Sequence, residues 1–179
     1  RSVSAASFFF ETISQRLTGG SMEPGITKIT VEVVTQVDDE LRETILSIDE
    51  EAFGQGSLNE WSLPPFLNYG RVYLARLNGR PVGFAELMRD WRDPELAYLY
   101  GYAVAREYRG RGIGTALMRA ILEALPRAGF KRLQLTVHPE NYTALHLYQD
   151  KFGMRPIDFI VGYYGPGEDR WLLEWRSDD

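Results

Sequence analysis

Along the chain, apolar and polar positions change period several times, and each change marks an element. In residues 26–34 β-branched side chains alternate with Lys28, Thr30 and Glu32, which predicts a half-buried strand. Asp38 then offers an N-cap, and Leu41, Ile45, Ile48 and Phe53 trace one stripe at helical spacing as far as Gly54 and Gly56. Residues 58–68, with Trp61, Pro64, Pro65 and Phe66, predict a second short helix or a bulky loop. Residues 72–77 and 81–88 flank Asn78-Gly79, a strong hairpin signal. The uncharged aromatic run 98–104 predicts a buried strand. After Thr115, Leu117, Ile121, Leu122 and Leu125 share a helical face; Pro126 kinks or shortens that helix and Gly129 ends it. Residues 132–137 read as a strand. Residues 141–151 read as a helix with Ala144, Leu145 and Tyr148 on one face, closed by Gly153. Residues 157–164 and 170–175 form a last hairpin around the turn 165–169, with Arg155-Pro156 at its start.

The order is β-α-α-β-β-β-α-β-α-β-β, with no internal repeat and no low-complexity linker. One mixed α/β (α+β) sheet of about seven strands, with about four helices on its faces, is the economical architecture. Residues 22–179 are expected to form a single domain. The sequence does not begin with Met, and Met22 offers a natural start. Residues 1–21 are therefore expected to be an extension or a vector-derived segment. Within them residues 7–17 suit a short helix ended by Gly19 and Gly20.

Composition narrows the chemistry. There is no cysteine among 179 residues, which excludes disulfides, cysteine-ligated zinc and a cysteine nucleophile. The net charge of −5 gives no basic surface for nucleic acid. No apolar run approaches the length of about 18 residues that would span a membrane, so a cytoplasmic protein is expected. Two isolated histidines, His138 and His146, and no H-E-x-x-H argue against a metal site.

The chain is organised around residues 98–118, where the apolar strand meets Arg109, Gly110, Arg111, Gly112, Ile113 and Gly114, then a helix. Glycines at alternate positions let the backbone approach a ligand closely. The helix N-terminus supplies unpaired N–H groups and the positive dipole end, and Arg109 and Arg111 add charge. Together these form an anion site suited to phosphates. A P-loop would need Lys-Ser/Thr after its last glycine, where Thr115 stands; G-x-G-x-x-G would need a further glycine.

Arg109-x-x-Gly112-x-Gly114 resembles the pyrophosphate loop of the GCN5-related N-acetyltransferases (GNAT), which bind acetyl-coenzyme A. The resemblance extends over residues 26–176. Leu135-x-Val137-x-x-x-Asn141-x-x-Ala144-x-x-Leu147-Tyr148-x-x-x-Phe152-Gly153-Met154 is similar to the family's fifth strand and fourth helix. Tyr163-Tyr164 before the last hairpin resembles the branch that acetylates protein N-termini, including the ribosomal-protein alanine acetyltransferases. The resemblance implies cofactor contacts at Ala103, Val104, Arg109, Gly110, Arg111, Gly112, Ile113, Gly114, Thr115, Asn141 and Tyr148. It implies acceptor contacts at Phe53, Tyr100, Tyr163 and Tyr164. The acceptor would be a protein or peptide N-terminus or a small amine, and the protein a monomer or homodimer.

Direct transfer needs three groups: a base for the amine, a main-chain N–H for the oxyanion and an acid for the leaving thiolate. Residues 101–104 are expected to supply the N–H. Tyr148 stands where the family places the acid. The position that carries Glu or His in known N-terminal acetyltransferases is Thr136 here, which cannot act as a base. Tyr98 falls where one eukaryotic relative carries a functional tyrosine. Tyr98, Tyr100 and Tyr102 are expected to share one strand face and hold a water. Glu86 on the preceding strand is the carboxylate candidate, and His138 at a strand end is a lesser one. A non-catalytic acyl-coenzyme A binding module is the competing class, motivated by Thr136.

Overall fold

The computed structural model describes residues 11–14 and 28–177. Its strands are β1 (Glu11–Ser14), β2 (Lys28–Val34), β3 (Arg71–Leu77), β4 (Arg80–Arg89), β5 (Leu96–Val104), β6 (Arg132–Val137), β7 (Arg155–Ile160) and β8 (Arg170–Arg176). Its α-helices are α1 (Asp39–Phe53), α2 (Leu63–Tyr69), α3 (Ile113–Arg127) and α4 (Tyr142–Leu145). The strands form one sheet in the order β1-β2-β3-β4-β5-β6-β8-β7. Every neighbouring pair is antiparallel except β5 and β6, which run parallel with α3 between them in the chain.

Strand alternation divides the core into two layers. Ile29, Tyr73, Ala85, Leu87, Ala97, Leu99, Leu133 and Leu135 pack under α3 with Leu117, Met118 and Ile121. Val72, Leu74, Phe84 and Ala103 pack under α1 and α2 with Ile45, Ile48, Leu63 and Phe66. Asp38 caps α1 as its spacing predicts, accepting the Leu41 N–H at 2.8 Å.

Five expectations need correction. The seven strands expected from residue 26 onward are all present, and an eighth, Glu11–Ser14, pairs antiparallel with β2 inside the stretch expected to be a helix. A strand edge with an unpaired row of N–H and C=O groups overrides the helical reading there; the rest of residues 7–17 lies outside the described residues. Helix α3 starts at Ile113, ahead of the period that follows Thr115, because Gly112 already takes the left-handed cap conformation. The helix predicted over 141–151 is one α-turn followed by a π-turn, His146–Lys151. Strand β7 ends at Ile160, so Tyr163 and Tyr164 sit in the connection to β8 rather than on the strand.

The fifth correction concerns the tyrosine face. Strand β5 carries a bulge: Glu86 pairs with Gly101 and Leu87 with Leu99, which leaves Tyr100 as the extra residue. A one-residue slip reverses which face later side chains take. Tyr98 and Tyr100 therefore face the α1–α2 layer. Tyr102 faces α3, where its hydroxyl donates to the Gly114 carbonyl.

Candidate active site

The parallel pairing of β5 and β6 is short. It joins Leu96–Leu99 to Arg132–Leu135 and stops. Beyond it residues 101–104 of β5 stay with β4, while Thr136 and Val137 stay with β8. The two strands thus part into a wedge whose inner edges carry main-chain groups without a strand partner. An extended ligand can add there as a strand would, beside Ala103 and Val104.

At the end of β5 the chain makes a short 3-10 turn, Arg106–Tyr108, and enters the loop to α3. Gly110 has φ +75° and Gly112 φ +79°. Gly112 is the N-cap of α3 and no side chain caps it. The first-turn N–H groups of Ile113, Gly114 and Thr115 are thereby left for a ligand. Ile113 is buried in the core, so only its main chain can serve. The Arg109 Nε donates to the Val104 carbonyl at 2.9 Å, tying the loop to the end of β5. The Arg111 and Arg80 guanidinium groups lie 5.4 and 5.6 Å from the Tyr108 ring centroid.

Tyr148 is buried, edge-on to Tyr102 at 6.1 Å between centroids. Burial pushes its phenol well above the ordinary value, so it stays protonated and can donate. Asn141 caps α4 through its side-chain oxygen, which accepts the Ala144 N–H at 3.1 Å. Its Nδ2 donors remain for another contact.

Across the sheet, on the α1–α2 face, hydroxyls converge. The Tyr98 hydroxyl lies 3.0 Å from Thr136 Oγ1, which lies 3.4 Å from the Tyr164 hydroxyl. Tyr163 stands edge-on to Tyr164 at 4.6 Å, and the Arg170 guanidinium covers Tyr164 at 5.0 Å. Tyr100 packs against Phe66 at 5.0 Å. Tyr100, Tyr163 and Tyr164 are exposed, so the cluster opens to solvent. Phe53 is exposed at the end of α1, and among the described residues no ring contact ties it to this cluster. Thr136, unable to act as a base, instead holds the Tyr98 hydroxyl.

Glu86 is 0% exposed, and neither carboxyl oxygen has a hydrogen-bond partner. Burial, and then the nearby charge of Asp49, raises its pKa to about 8. A Cβ at Gly101 would lie 2.7 Å from Glu86 Oε2, so the glycine leaves the carboxyl its room beneath the bulge. Asp49, 2% exposed, comes from α1 and accepts the Leu58 N–H. Sequence reading missed Asp49, although a signal existed. It stands four residues after Ile45 and four before Phe53, on the apolar stripe of α1.

The histidines are not drawn in. His138 Nδ1 accepts from the Glu140 N–H in its own turn at 3.2 Å, and His146 pairs with Asp150 at 2.6 Å. Among the described residues no group of His, Asp and Glu is arranged to hold a metal.

If Arg109 serves chiefly to brace the loop, Arg109→Ala should weaken coenzyme A binding by roughly tenfold while the main-chain donors persist. Calorimetric titration of coenzyme A checks this; unchanged affinity would remove Arg109 from the site.

Comparison with known proteins agrees with this geometry. Residues 38–154 match the Acetyltransferase (GNAT) family. An N-alpha-acetyltransferase of Sulfolobus acidocaldarius is 30% identical over 116 residues, which cover 59% of this chain and 68% of that protein. The ribosomal-protein-S18-alanine N-acetyltransferase of Escherichia coli superposes with a TM-score of 0.68 at 20% identity, covering 82% of this chain and 93% of that one. A GNAT acetyltransferase of Elizabethkingia anophelis, solved with acetyl-CoA bound, gives 0.67 at 21% identity, covering 83% and 98%. With the loop, the wedge and the matched stretch in agreement, the chain belongs to the GNAT family of acetyltransferases.

Proposed function

We propose that this chain acetylates the α-amino group of a protein or peptide N-terminus, with acetyl-coenzyme A as donor. The observation that carries the reading is the wedge between β5 and β6, flanked by the left-handed glycine loop at one end and open tyrosines on the α1–α2 face. The residues fit the cofactor. Main-chain donors at 113–115, Gly110 and Gly112 suit a diphosphate, and the β5 edge suits an extended amide chain. Bound there, acetyl-coenzyme A supplies a thioester carbonyl.

The chain's own groups then divide the work. A main-chain N–H on the free edge of β5 stabilises charge developing on the carbonyl oxygen. Tyr148, protonated throughout the working range, donates to the departing sulfur. Tyr98, Thr136 and Tyr164 orient the acceptor through their hydroxyls, with Tyr100 and Tyr163 beside them. Glu86 takes up the proton released by the amine. An α-amine titrates near 8, which Glu86 matches, so little driving force is lost. Glu86 is sealed from solvent, so the proton reaches it through a water or hydroxyl beside Tyr100. Among the described residues no helix is long and apolar enough to cross a membrane.

The test is transfer of labelled acetyl to a panel of peptides, polyamines and aminoglycosides. Labelling confined to peptide α-amines supports the proposal. Labelling of small polycations instead would favour the alternative suggested by the acidic Asp49–Glu86 pair, and cofactor binding with no acceptor labelled would mark a binding module. Tyr148→Phe should lower kcat by roughly 10²-fold without changing coenzyme A affinity or melting temperature; steady-state kinetics with calorimetry decide it. An unchanged kcat would leave Tyr148 as packing against Tyr102.

A further inference from the structure

Glu86 and Asp49 come from different elements and are both buried in the layer between the sheet and α1. Glu86 lies on β4, between Phe84 and Met88 on the α1–α2 face. Asp49 lies on the inner side of α1. Both are buried. The groups around Glu86 can be followed element by element. Its partner on β3 is Val72 and on β5 is Gly101. The phenol of Tyr100 on β5 is raised by burial, by Tyr164 and by both carboxylates. Asp49 is the charge that α1 brings. Among the described residues no cation is paired with Glu86 or with Asp49.

Two buried carboxyls without a cation are an expensive arrangement if packing were their only role. Ionised, each costs several kcal/mol to desolvate, and like charges add to that; burial accordingly raises the carboxyl of Asp49 as well as that of Glu86. Neither is idle in geometry. Asp49 is fixed by the Leu58 N–H at the chain's turn from α1 towards α2. Glu86 is left with both oxygens unpartnered, in the space that Gly101 keeps open beneath the bulge. Tyr100, the bulge residue next to Gly101, lies on the same face as the pair and as the open hydroxyl cluster, and its phenol is raised by burial and by the charges of Tyr164, Glu86 and Asp49.

We propose that Asp49 is a positioning residue for acetyl transfer: its buried carboxyl, held by the Leu58 N–H, faces the side of the sheet that carries Glu86 and makes the ionised Glu86 a stronger acceptor for the proton of the acceptor amine. This rests on the reading of Glu86 as proton acceptor given above. The proton balance is simple. The attacking nitrogen forms its bond to the acetyl carbon and loses one proton, which Glu86 takes from the side of Tyr100. Tyr148 gives one proton to the sulfur as the carbon–sulfur bond breaks. Solvent restores both groups after products leave.

The experiment is the pH dependence of kcat/KM on one peptide acceptor, for the native chain and for Asp49→Asn and Asp49→Glu. The amine titrates identically in all three, so any difference belongs to the protein. Asn keeps an oxygen for the Leu58 N–H while removing the charge. It should move the acidic limb down by roughly one pH unit, whereas Asp49→Glu should leave the limb near its native position. A limb that stays in place in Asp49→Asn, with coenzyme A affinity intact, overturns the proposal. A ¹³C titration of the Glu86 carboxyl in the same variants reads the effect without turnover, and an unmoved Glu86 titration overturns it equally. Glu86→Gln run in parallel separates the two readings. If it keeps native activity, the proton-acceptor reading fails. If it is inactive while Asp49→Asn shifts nothing, the role of Asp49 alone fails.

Discussion

Valine at position 112 should abolish coenzyme A binding while leaving the fold intact. Gly112 sits at φ +79° as the N-cap of α3. An L-residue there costs about 1–2 kcal/mol, and a β-branched one is more strongly disfavoured. The chain can relieve that strain only by rotating the peptides that aim the first N–H groups of α3 at the anion. The helix itself should persist, because Ile113, Ala116, Leu117, Met118, Ile121 and Leu125 anchor its inner face in the core. Calorimetric titration should therefore show affinity for coenzyme A reduced by at least a hundredfold, with native circular dichroism. Gly114 differs. It is helical, and a Cβ there meets the Tyr102 hydroxyl at 3.1 Å. A substitution at 114 disturbs Tyr102, and through it Tyr148, before it touches the loop. Affinity within threefold of native in Gly112→Val would mean that no main-chain anion site exists at this bend.

Why the loop was legible in the sequence, while the acceptor side was not, has a physical basis. Glycines at 110 and 112 are demanded by backbone geometry, and such demands are local in sequence. The same holds for Asp38 as a cap and for Asn78-Gly79 as a hairpin turn, both found where expected; Asn78 and Gly79 take φ 51° and 88°. The bulge at Tyr100 is different. Nothing in residues 98–104 announces an extra residue, and period two placed Tyr102 beside Tyr98 when it lies on the opposite face. The bulge arises from pairing with β4, a tertiary choice. The extra strand at Glu11–Ser14 is likewise set by an edge awaiting a partner. Tyrosine favours sheets and so extends the expected strand over Tyr163 and Tyr164, but Gly162, Gly165 and Gly167 with positive φ around them turn the chain. Asp49 shows a signal present but not weighed: a carboxylate on an apolar stripe is either exposed by chance or held for a purpose.

Glutamine at position 86 should make the protein nearly inactive and, above neutral pH, more stable. The native carboxyl titrates at about 8 against an ordinary 4.5. Between those values the folded state holds a proton that the unfolded state releases. The native state thus binds more protons, and stability falls as pH rises through that window. The full shift corresponds to roughly 4 to 5 kcal/mol once the pH exceeds both values. Gln carries no titrating group, so the variant lacks this decline. Its amide is buried without a partner, which costs about 1–3 kcal/mol at every pH. Glu86→Gln should then be somewhat less stable than the native chain near pH 4.5 and should overtake it between about pH 5 and 7. Denaturant unfolding at a series of pH values measures the crossing. Transfer to a peptide should fall by roughly 10²-fold or more near pH 8 and above, where the native Glu86 is ionised and the variant has no carboxylate to receive the proton. The two readouts answer separate questions. A stability difference that is flat from pH 5 to 8 would show that Glu86 is ionised normally and exposed to water. A crossing with undiminished transfer would show a buried acid that strains the fold while another group takes the proton, and the hydroxyl cluster of Tyr98, Thr136 and Tyr164 would then be the place to look.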